Sequence, residues 1–209
     1  IKLMSEVRVV RRWEKTSQET VPNRKFPTPV DGEQDLENKR HFDLVAVGAS
    51  TGGPPAIKTM LQALPKDFPL PVLVVQHISQ GFTESMAKWL EDATGFPVHV
   101  PEKNLRWKPG HVYIAPDGMH MGAAQGKRIV LSTEAPDKGH RPSVSFLFRS
   151  VAASYGGRSI GVLLTGMGDD GAAELKTLRN TKAMTFAQDE NSSVIFGMPG
   201  EAVRMEAAD

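Results

Sequence analysis

The sequence predicts an α/β fold: a doubly wound, mostly parallel sheet with helices on both faces and a small antiparallel hairpin region. Three observations predict it. Short, wholly apolar runs at residues 44–47, 72–75 and 160–164 show no polar alternation, as expected of strands buried on both faces. Each run is followed by a stretch with apolar residues at helical spacing, the pattern of strand and helix in alternation. The middle of the chain, residues 98–132, breaks that rhythm with short segments set off by turn residues.

Residues 1–42 precede this pattern. Leu3, Val7 and Val10 recur at helical spacing over 1–13 and predict a short amphipathic helix. Residues 16–40 are polar, carry Pro22, Pro27 and Pro29 and mix both signs of charge. They have too few large apolar groups to offset their ordering entropy and read as a linker. Beginning at Ile1 after such a stretch, the chain is expected to be a piece of a longer protein, with one domain over 43–209.

The domain opens with Leu-Val-Ala-Val-Gly-Ala-Ser-Thr-Gly-Gly at 44–53. This reads as a strand, a sharp turn with Ser50 at its apex, and a helix marked by Ile57, Met60, Leu61 and Leu64. Residues 72–75 form the second strand and run into Gln76-His77. Phe82, Met86, Trp89 and Leu90 then fall at i, i+4, i+7 and i+8, one face of a helix. Further on, Lys108-Pro109-Gly110 is a turn and 112–115 a strand. Asp117-Gly118 is a hairpin signal, and 119–121 and 128–131 supply short antiparallel strands. Arg141-Pro142 opens a helix with an apolar stripe of Val144, Leu147, Phe148, Val151 and Ala152, stopped by Gly156-Gly157. The third buried strand, 160–164, runs into Thr-Gly-Met-Gly-Asp-Asp-Gly. A helix over 172–178, a strand over 184–187 and a terminal helix over 200–207 complete the chain.

Composition excludes several classes of function. The chain has 209 residues with 25 basic and 24 acidic side chains, a formal charge of +1. No strong field draws it to nucleic acid or a membrane surface. Without cysteine there is no disulfide, thiol nucleophile or thiolate metal site, in keeping with a cytoplasmic protein. No apolar stretch approaches the about 18–20 residues that cross a bilayer, so no membrane insertion is expected. His99, His111, His120 and His140 lack the close spacing and supporting carboxylates of a metal site, and no metal or cofactor is expected.

The chemistry gathers at strand ends. Gly48-Ala-Ser-Thr-Gly52 fits the G-x-S-x-G elbow, in which a tight turn lifts a serine hydroxyl above the sheet. A glycine-rich turn before a helix also fits phosphate binding or a purely structural turn. Ser50, however, stands where a dinucleotide fingerprint needs its second glycine, and no Lys-Ser/Thr pair follows to make a P-loop. His77 follows the second apolar run and Asp169-Asp170 the third. In open parallel sheets ligands bind beyond the carboxyl ends of the strands, and adjacent strands lie about 4.8 Å apart. Serine, histidine and an acid at one sheet edge make the constellation of a serine hydrolase. Taken singly, His77 also fits a buried structural histidine, and either aspartate fits a helix cap. Spacing does not choose between Asp169 and Asp170.

Seven blocks resemble the motifs of the bacterial chemotaxis protein-glutamate methylesterases, in that family's order. They are Gly-Ala-Ser-Thr-Gly-Gly at 48–53, Gln76-His77, Val-Tyr-Ile-Ala-Pro at 112–116, His-Arg-Pro-Ser at 140–143, Leu-Thr-Gly-Met-Gly-Asp-Asp-Gly at 164–171, Ala-Gln-Asp-Glu at 187–190 and Phe-Gly-Met-Pro at 196–199. The resemblance implies a doubly wound domain that hydrolyses glutamate γ-methyl esters on the cytoplasmic helices of chemoreceptors and deamidates certain glutamines there. It implies Ser50 as nucleophile, His77 as base and Asp170, the aspartate directly before the glycine, as acid. The Met167 backbone N–H would serve the oxyanion, and Thr51 would position nucleophile or substrate. An N-terminal phosphorylatable receiver domain is the implied partner, with residues 1–13 as its end and 14–42 as the connection.

Two places depart from the family pattern. Ile78-Ser79-Gln80 replaces a proline-containing segment, and Ser145 stands where aspartate is expected. Both are expected on the substrate-facing rim, clear of the three catalytic groups. His140 and Arg141 are candidates to orient a substrate, against the plainer reading of a loop histidine and a solvated arginine. Two other functions compete: a non-catalytic regulatory module on the same fold, and nucleotide binding at the glycine-rich turn. Fluorophosphonate labelling or methanol release separates the first from an esterase, and a thermal shift with nucleotides tests the second.

Overall fold

The structure, a computed structural model, describes residues 41–102 and 105–208. The helix and linker expected over 1–40 lie outside the described residues. Six strands form one parallel sheet in the order β3-β4-β2-β1-β7-β8: β1 (Leu44–Ala49), β2 (Val72–Gln76), β3 (Val98–His99), β4 (Val112–Ile114), β7 (Ser159–Leu163) and β8 (Met184–Ala187). From β1 the chain winds outward through β2 toward β4. It later returns to the other side of β1 with β7 and β8, so β1 marks the point where the winding reverses. The remaining strands, β5 (His120–Ala124) and β6 (Arg128–Ser132), pair with each other as an antiparallel ribbon.

Strand periodicity divides the interior into two cores. Leu44 and Ala46 of β1 point into one, and Val45, Val47 and Ala49 into the other. The second core is closed by α1 (Gly53–Ala63) and α2 (Thr83–Thr94), through Ile57, Leu61, Met86 and Leu90. The first is closed by α3 (Val144–Ser154), α4 (Ala172–Asn180), α5 (Met198–Arg204) and the ribbon. Leu147, Phe148, Val151, Leu175, Leu178, Met121 and Ile129 fill it. β1 and β4 are buried along their whole length, covered on both sides, and their sequences are apolar without interruption.

Four local expectations are corrected. Phe82 is 59% exposed and Trp89 41% exposed, so the buried face of α2 is Thr83, Met86, Ala87 and Leu90. Phe82 stands at the helix N-cap, outside the periodic turn, and Trp89 lies on the surface with the Lys58 ammonium 5.8 Å from its ring centroid. Asp117-Gly118 joins no hairpin, because β4 pairs with β2 and β3 inside the parallel sheet. Its carboxylate instead accepts the Gly81 N–H at 2.6 Å and the Thr83 hydroxyl, fixing the start of α2. The true hairpin turns at 125–127. Arg141-Pro142 precedes α3 rather than opening it. That bond is cis, and the helix begins after Ser143, whose hydroxyl accepts the Phe146 N–H at 3.3 Å. The last helix is shifted toward the N-terminus, with Pro199 in its first turn.

Candidate active site

Ser50, His77 and Asp170 come off three consecutive strands, β1, β2 and β7. Parallel register sets the first two side by side: Ala49 pairs with Gln76, so Ser50 and His77 are the next residues on each strand. The His77 N–H donates to Ala49 O at 2.9 Å. Gln76 ties the two ends together, its buried amide donating to Ser50 O and to His77 O at 2.8 Å each. On the other side the Ser50 N–H donates to Thr165 O at 3.0 Å, extending the β1–β7 pairing.

The turn at Ser50 works through two glycines. Gly52 adopts φ 80°, a left-handed conformation that favours glycine, immediately before α1. Gly166 permits a close approach: a Cβ there would stand 2.7 Å from the Ser50 Cβ and 2.3 Å from the Met198 sulfur. The segment carrying Met167 is thereby pressed against the Ser50 turn. It is pinned further by the Gly166 N–H donating to Ile195 O at 3.0 Å, and by Gly197 and Met198 N–H groups converging on Gly166 O. Among the described residues the Met167 N–H has no acceptor, and its side chain is 70% exposed. Thr51 is exposed, with its carbonyl 2.9 Å from the Thr165 hydroxyl.

Asp170 is 2% exposed and surrounded by donors. His77 Nε2 lies 2.9 Å from its Oδ2, which also accepts the Val144 N–H at 2.8 Å. Its Oδ1 accepts the Ser143 hydroxyl at 3.0 Å and the Ser145 N–H at 2.9 Å. Burial pushes the carboxyl's proton affinity up. Hydrogen bonds from His77, Ser145 and Val144 outweigh that and hold it well below the usual carboxylate range. Two of these donors are backbone N–H groups at the N-terminus of α3, where a negative charge is favoured. Asp169, beside it, is exposed and pairs with Lys138 at 2.8 Å. The structure thus separates two aspartates that spacing left equivalent.

Since Nε2 is committed to Asp170, Nδ1 is the ring nitrogen left for other chemistry. It is buried and has no hydrogen-bond partner among the described residues. The Ser50 hydroxyl also makes no hydrogen bond among the described residues, and Ser50 is half-buried at the adjoining strand end. A carboxylate holds an imidazole, the residue after the neighbouring strand end carries a hydroxyl, and Gly166, next in sequence to the unpaired Met167 N–H, packs against that residue. This arrangement can accept a proton from an attacking alcohol and stabilise an oxyanion.

One expectation about this site is overturned. Ser145 is buried, not on the rim, and it touches the acid. Its hydroxyl donates to Glu174 Oε2 at 2.7 Å and accepts the Gly171 N–H at 3.0 Å, joining α3 to the start of α4. Ser79 and Gln80 of the other variant segment are exposed next to His77, as a rim requires. Sequence reasoning missed the roles of Ser143, Gln76 and Gln188. Gln188 accepts the Thr165 N–H at 2.8 Å and steadies the strand end behind the Ser50 turn. The block motifs contained all three, yet only the fold shows what they hold. Arg141 donates to Thr133 O and Glu134 O at 3.1 Å each and is a loop brace. No group of three or more potential metal ligands occurs among the described residues, nor any helix long and apolar enough to cross a membrane.

Known proteins share this architecture and sequence. The family model described as CheB methylesterase matches residues 45–209. A Syntrophus aciditrophicus protein named protein-glutamate methylesterase/protein-glutamine glutaminase 1 is 46% identical over 209 residues, covering all of this chain and 58% of the relative. A Nitrosospira multiformis protein named protein-glutamate methylesterase/protein-glutamine glutaminase is 47% identical over 208 residues, again covering all of this chain and 57% of the relative. The chain therefore spans a little over half the length of these curated relatives. The crystal structure of the Thermotoga maritima CheB methylesterase catalytic domain superposes with a TM-score of 0.77 at 36% identity, covering 80% of this chain and 90% of that one. With a family model over most of its length and relatives near half identity along all of it, the chain belongs to the CheB methylesterase family.

Proposed function

We propose that this chain hydrolyses protein glutamate γ-methyl esters by acyl transfer through Ser50, with His77 as base and Asp170 as the group that orients it. The observation that carries the reading is the 2.9 Å bond between His77 Nε2 and buried Asp170, which leaves Nδ1 free beside the Ser50 turn. Ser50 Oγ attacks the ester carbonyl and its proton passes to His77 Nδ1. The Met167 N–H, without an acceptor among the described residues, faces the developing oxyanion's charge. His77 then gives the proton to the departing methoxide, and methanol leaves. Water enters, surrenders a proton to Nδ1 and attacks the glutamyl–Ser50 ester. The products are a free glutamate side chain and regenerated serine. Thr51 positions the nucleophile or the substrate, and no step calls for a metal or cofactor.

The same sequence of steps acting on a glutamine carboxamide releases ammonia instead of methanol. That agrees with the glutaminase activity in the relatives' names. By the motif resemblance, the substrates are methylated cytoplasmic helices of chemoreceptors, and the setting is the cytoplasm. Because the relatives are longer, pairing with a receiver domain that controls access to the site belongs to the same proposal. The test is methanol release from a methylated receptor-helix peptide by the 209-residue chain, with Ser50→Ala in parallel. Methanol release that Ser50→Ala abolishes supports the reading. Undiminished release by a pure Ser50→Ala sample sinks it.

A further inference from the structure

The His77 imidazole has a second neighbour that the acyl-transfer scheme leaves unused. The His140 ring lies on its face, centroids 3.9 Å apart and planes 6° from parallel. His140 does not reach this place by loop accident. Asp137 and His140 exchange both backbone hydrogen bonds, 3.0 and 2.9 Å, across a two-residue turn of Lys138 (φ 49°) and Gly139 (φ 83°). Left-handed conformations at both central residues make this the tightest of the common hairpin turns.

Ion pairs then anchor the turn to the elements that carry Asp170. Arg149 of α3 bonds Asp137 and, at 3.3 Å, Glu174 of α4. Lys138 bonds Asp169 at 2.8 Å. Directly after His140 the chain enters Ser143–Ser145, the segment that supplies three of the donors to Asp170. Burial first, and then the His77 ring, lower the proton affinity of His140, against smaller opposing effects of Asp170 and Asp169. The lowered affinity favours the neutral ring, which lies on its neighbour without charge repulsion.

We propose that His140 is a positioning residue: its ring, carried on the anchored 137–140 turn, covers one face of the His77 imidazole and keeps it from rotating away from Asp170 and Ser50. The inference rests on the reading of His77 as the base. An imidazole held by one hydrogen bond retains rotation about that bond, and a flat ring packed at van der Waals distance removes it. A small misplacement of a proton-transfer group costs on the order of 100-fold in rate, so the ring's hold belongs to turnover rather than to substrate binding.

Three variants of the 209-residue chain test this: His140→Phe keeps a flat ring without a ring nitrogen, His140→Leu keeps bulk without a plane, and His140→Ala removes both. Methanol release from a methylated receptor-helix peptide should show kcat down about 10- to 100-fold for Ala and Leu, with KM within about twofold. Phe should recover to within about threefold of the parent kcat. In proton NMR, the His77 Nε2–H resonance bonded to Asp170 should persist in Phe and broaden or vanish in Ala and Leu. Parent-like kcat and an intact resonance in both Ala and Leu overturn the proposal, as does Phe impaired as deeply as Ala. If Ala does not fold, Leu against Phe decides. Should Ser50→Ala retain turnover, the hydrolase reading fails on that result, while the resonance still reports separately on whether His140 holds the His77 ring.

Discussion

Asp170 and Ser50 stand at the two ends of one candidate relay, in opposite surroundings. Asp170 is sealed between β7 and the N-terminus of α3, with four donors on its two oxygens. Ser50 sits at an open turn, beside exposed Thr51, Met167 and Val194. The acid end is where a charge must be held in one place against the cost of burial, so every lone pair is matched. In the proposed reaction the hydroxyl end admits a protein side chain, which fits a pinned backbone with exposed neighbours. His77 stands between the two, its Nε2 bonded to Asp170 at the closed end and its Nδ1 unpartnered among the described residues. The contrast teaches that preorganisation is concentrated on the groups that stay put, and space is left around the one that forms the bond.

The harshest way to break the comparison is to remove the open end's proposed nucleophile. Ser50→Ala should lower kcat by about 10⁴–10⁶ while leaving the unfolding midpoint unchanged, because the hydroxyl makes no hydrogen bond among the described residues. At the closed end, Asp170→Asn should cost about 10⁴ in kcat, since an amide no longer fixes the tautomer that leaves Nδ1 ready to accept a proton. Asp169→Asn, in contrast, removes only the exposed pair with Lys138 and should cost no more than a few-fold. Steady-state methanol release on both variants checks the pair. A greater loss in Asp169→Asn reverses the assignment of the acid.

Those two aspartates also show how far the sequence could be read. Strands β1, β2 and β7 were legible because burial on both faces writes itself as unbroken apolar runs, and the serine, the histidine and the acid pair were legible because they punctuate those runs. The choice between Asp169 and Asp170 came only from a family motif, as their spacing carries no burial signal. Ser145, a departure from the family's aspartate, reads from sequence as a rim position. Only packing of α3 against α4 buries it between Gly171 and Glu174. From sequence His140 is a candidate substrate-orienting residue or a loop histidine; its stack on His77 joins residues far apart in sequence, which no local pattern encodes. Phe82 and Trp89 failed in the other direction, fitting a helical period that the helix does not bury. Periodicity reports what can be covered, and tertiary packing decides what is.

A gentler probe of the closed end is acid. Asp170's folded proton affinity is depressed, so its ionised form stabilises the fold fully at pH values above the unfolded carboxyl's, about 3.9. The contribution is lost as pH falls from there toward the depressed folded value. Urea midpoints should therefore hold between about pH 7 and 5 on this group's account and decline below about pH 4. Asp170→Asn cannot titrate there, so the gap between parent and variant should narrow as pH falls. A constant gap down to about pH 2.5 would show that the carboxylate's bonds contribute nothing to stability.

The smallest effect belongs to the open end's rim. Met167 offers two separate things: a backbone N–H without a partner among the described residues, proposed for the oxyanion, and an exposed apolar side chain on the segment that Gly166 packs against the Ser50 turn. Met167→Ala keeps the first and deletes most of the second. If the side chain only contacts the substrate's neighbouring surface, it binds ground state and transition state alike, so KM should rise about two- to fivefold with kcat unchanged. Stability should shift by no more than about 0.5 kcal/mol, as for other exposed positions. A fall in kcat at constant KM would mean that the side chain holds the loop in which the N–H is set. The open end would then be as preorganised as the closed one, and the contrast between them would reduce to exposure alone.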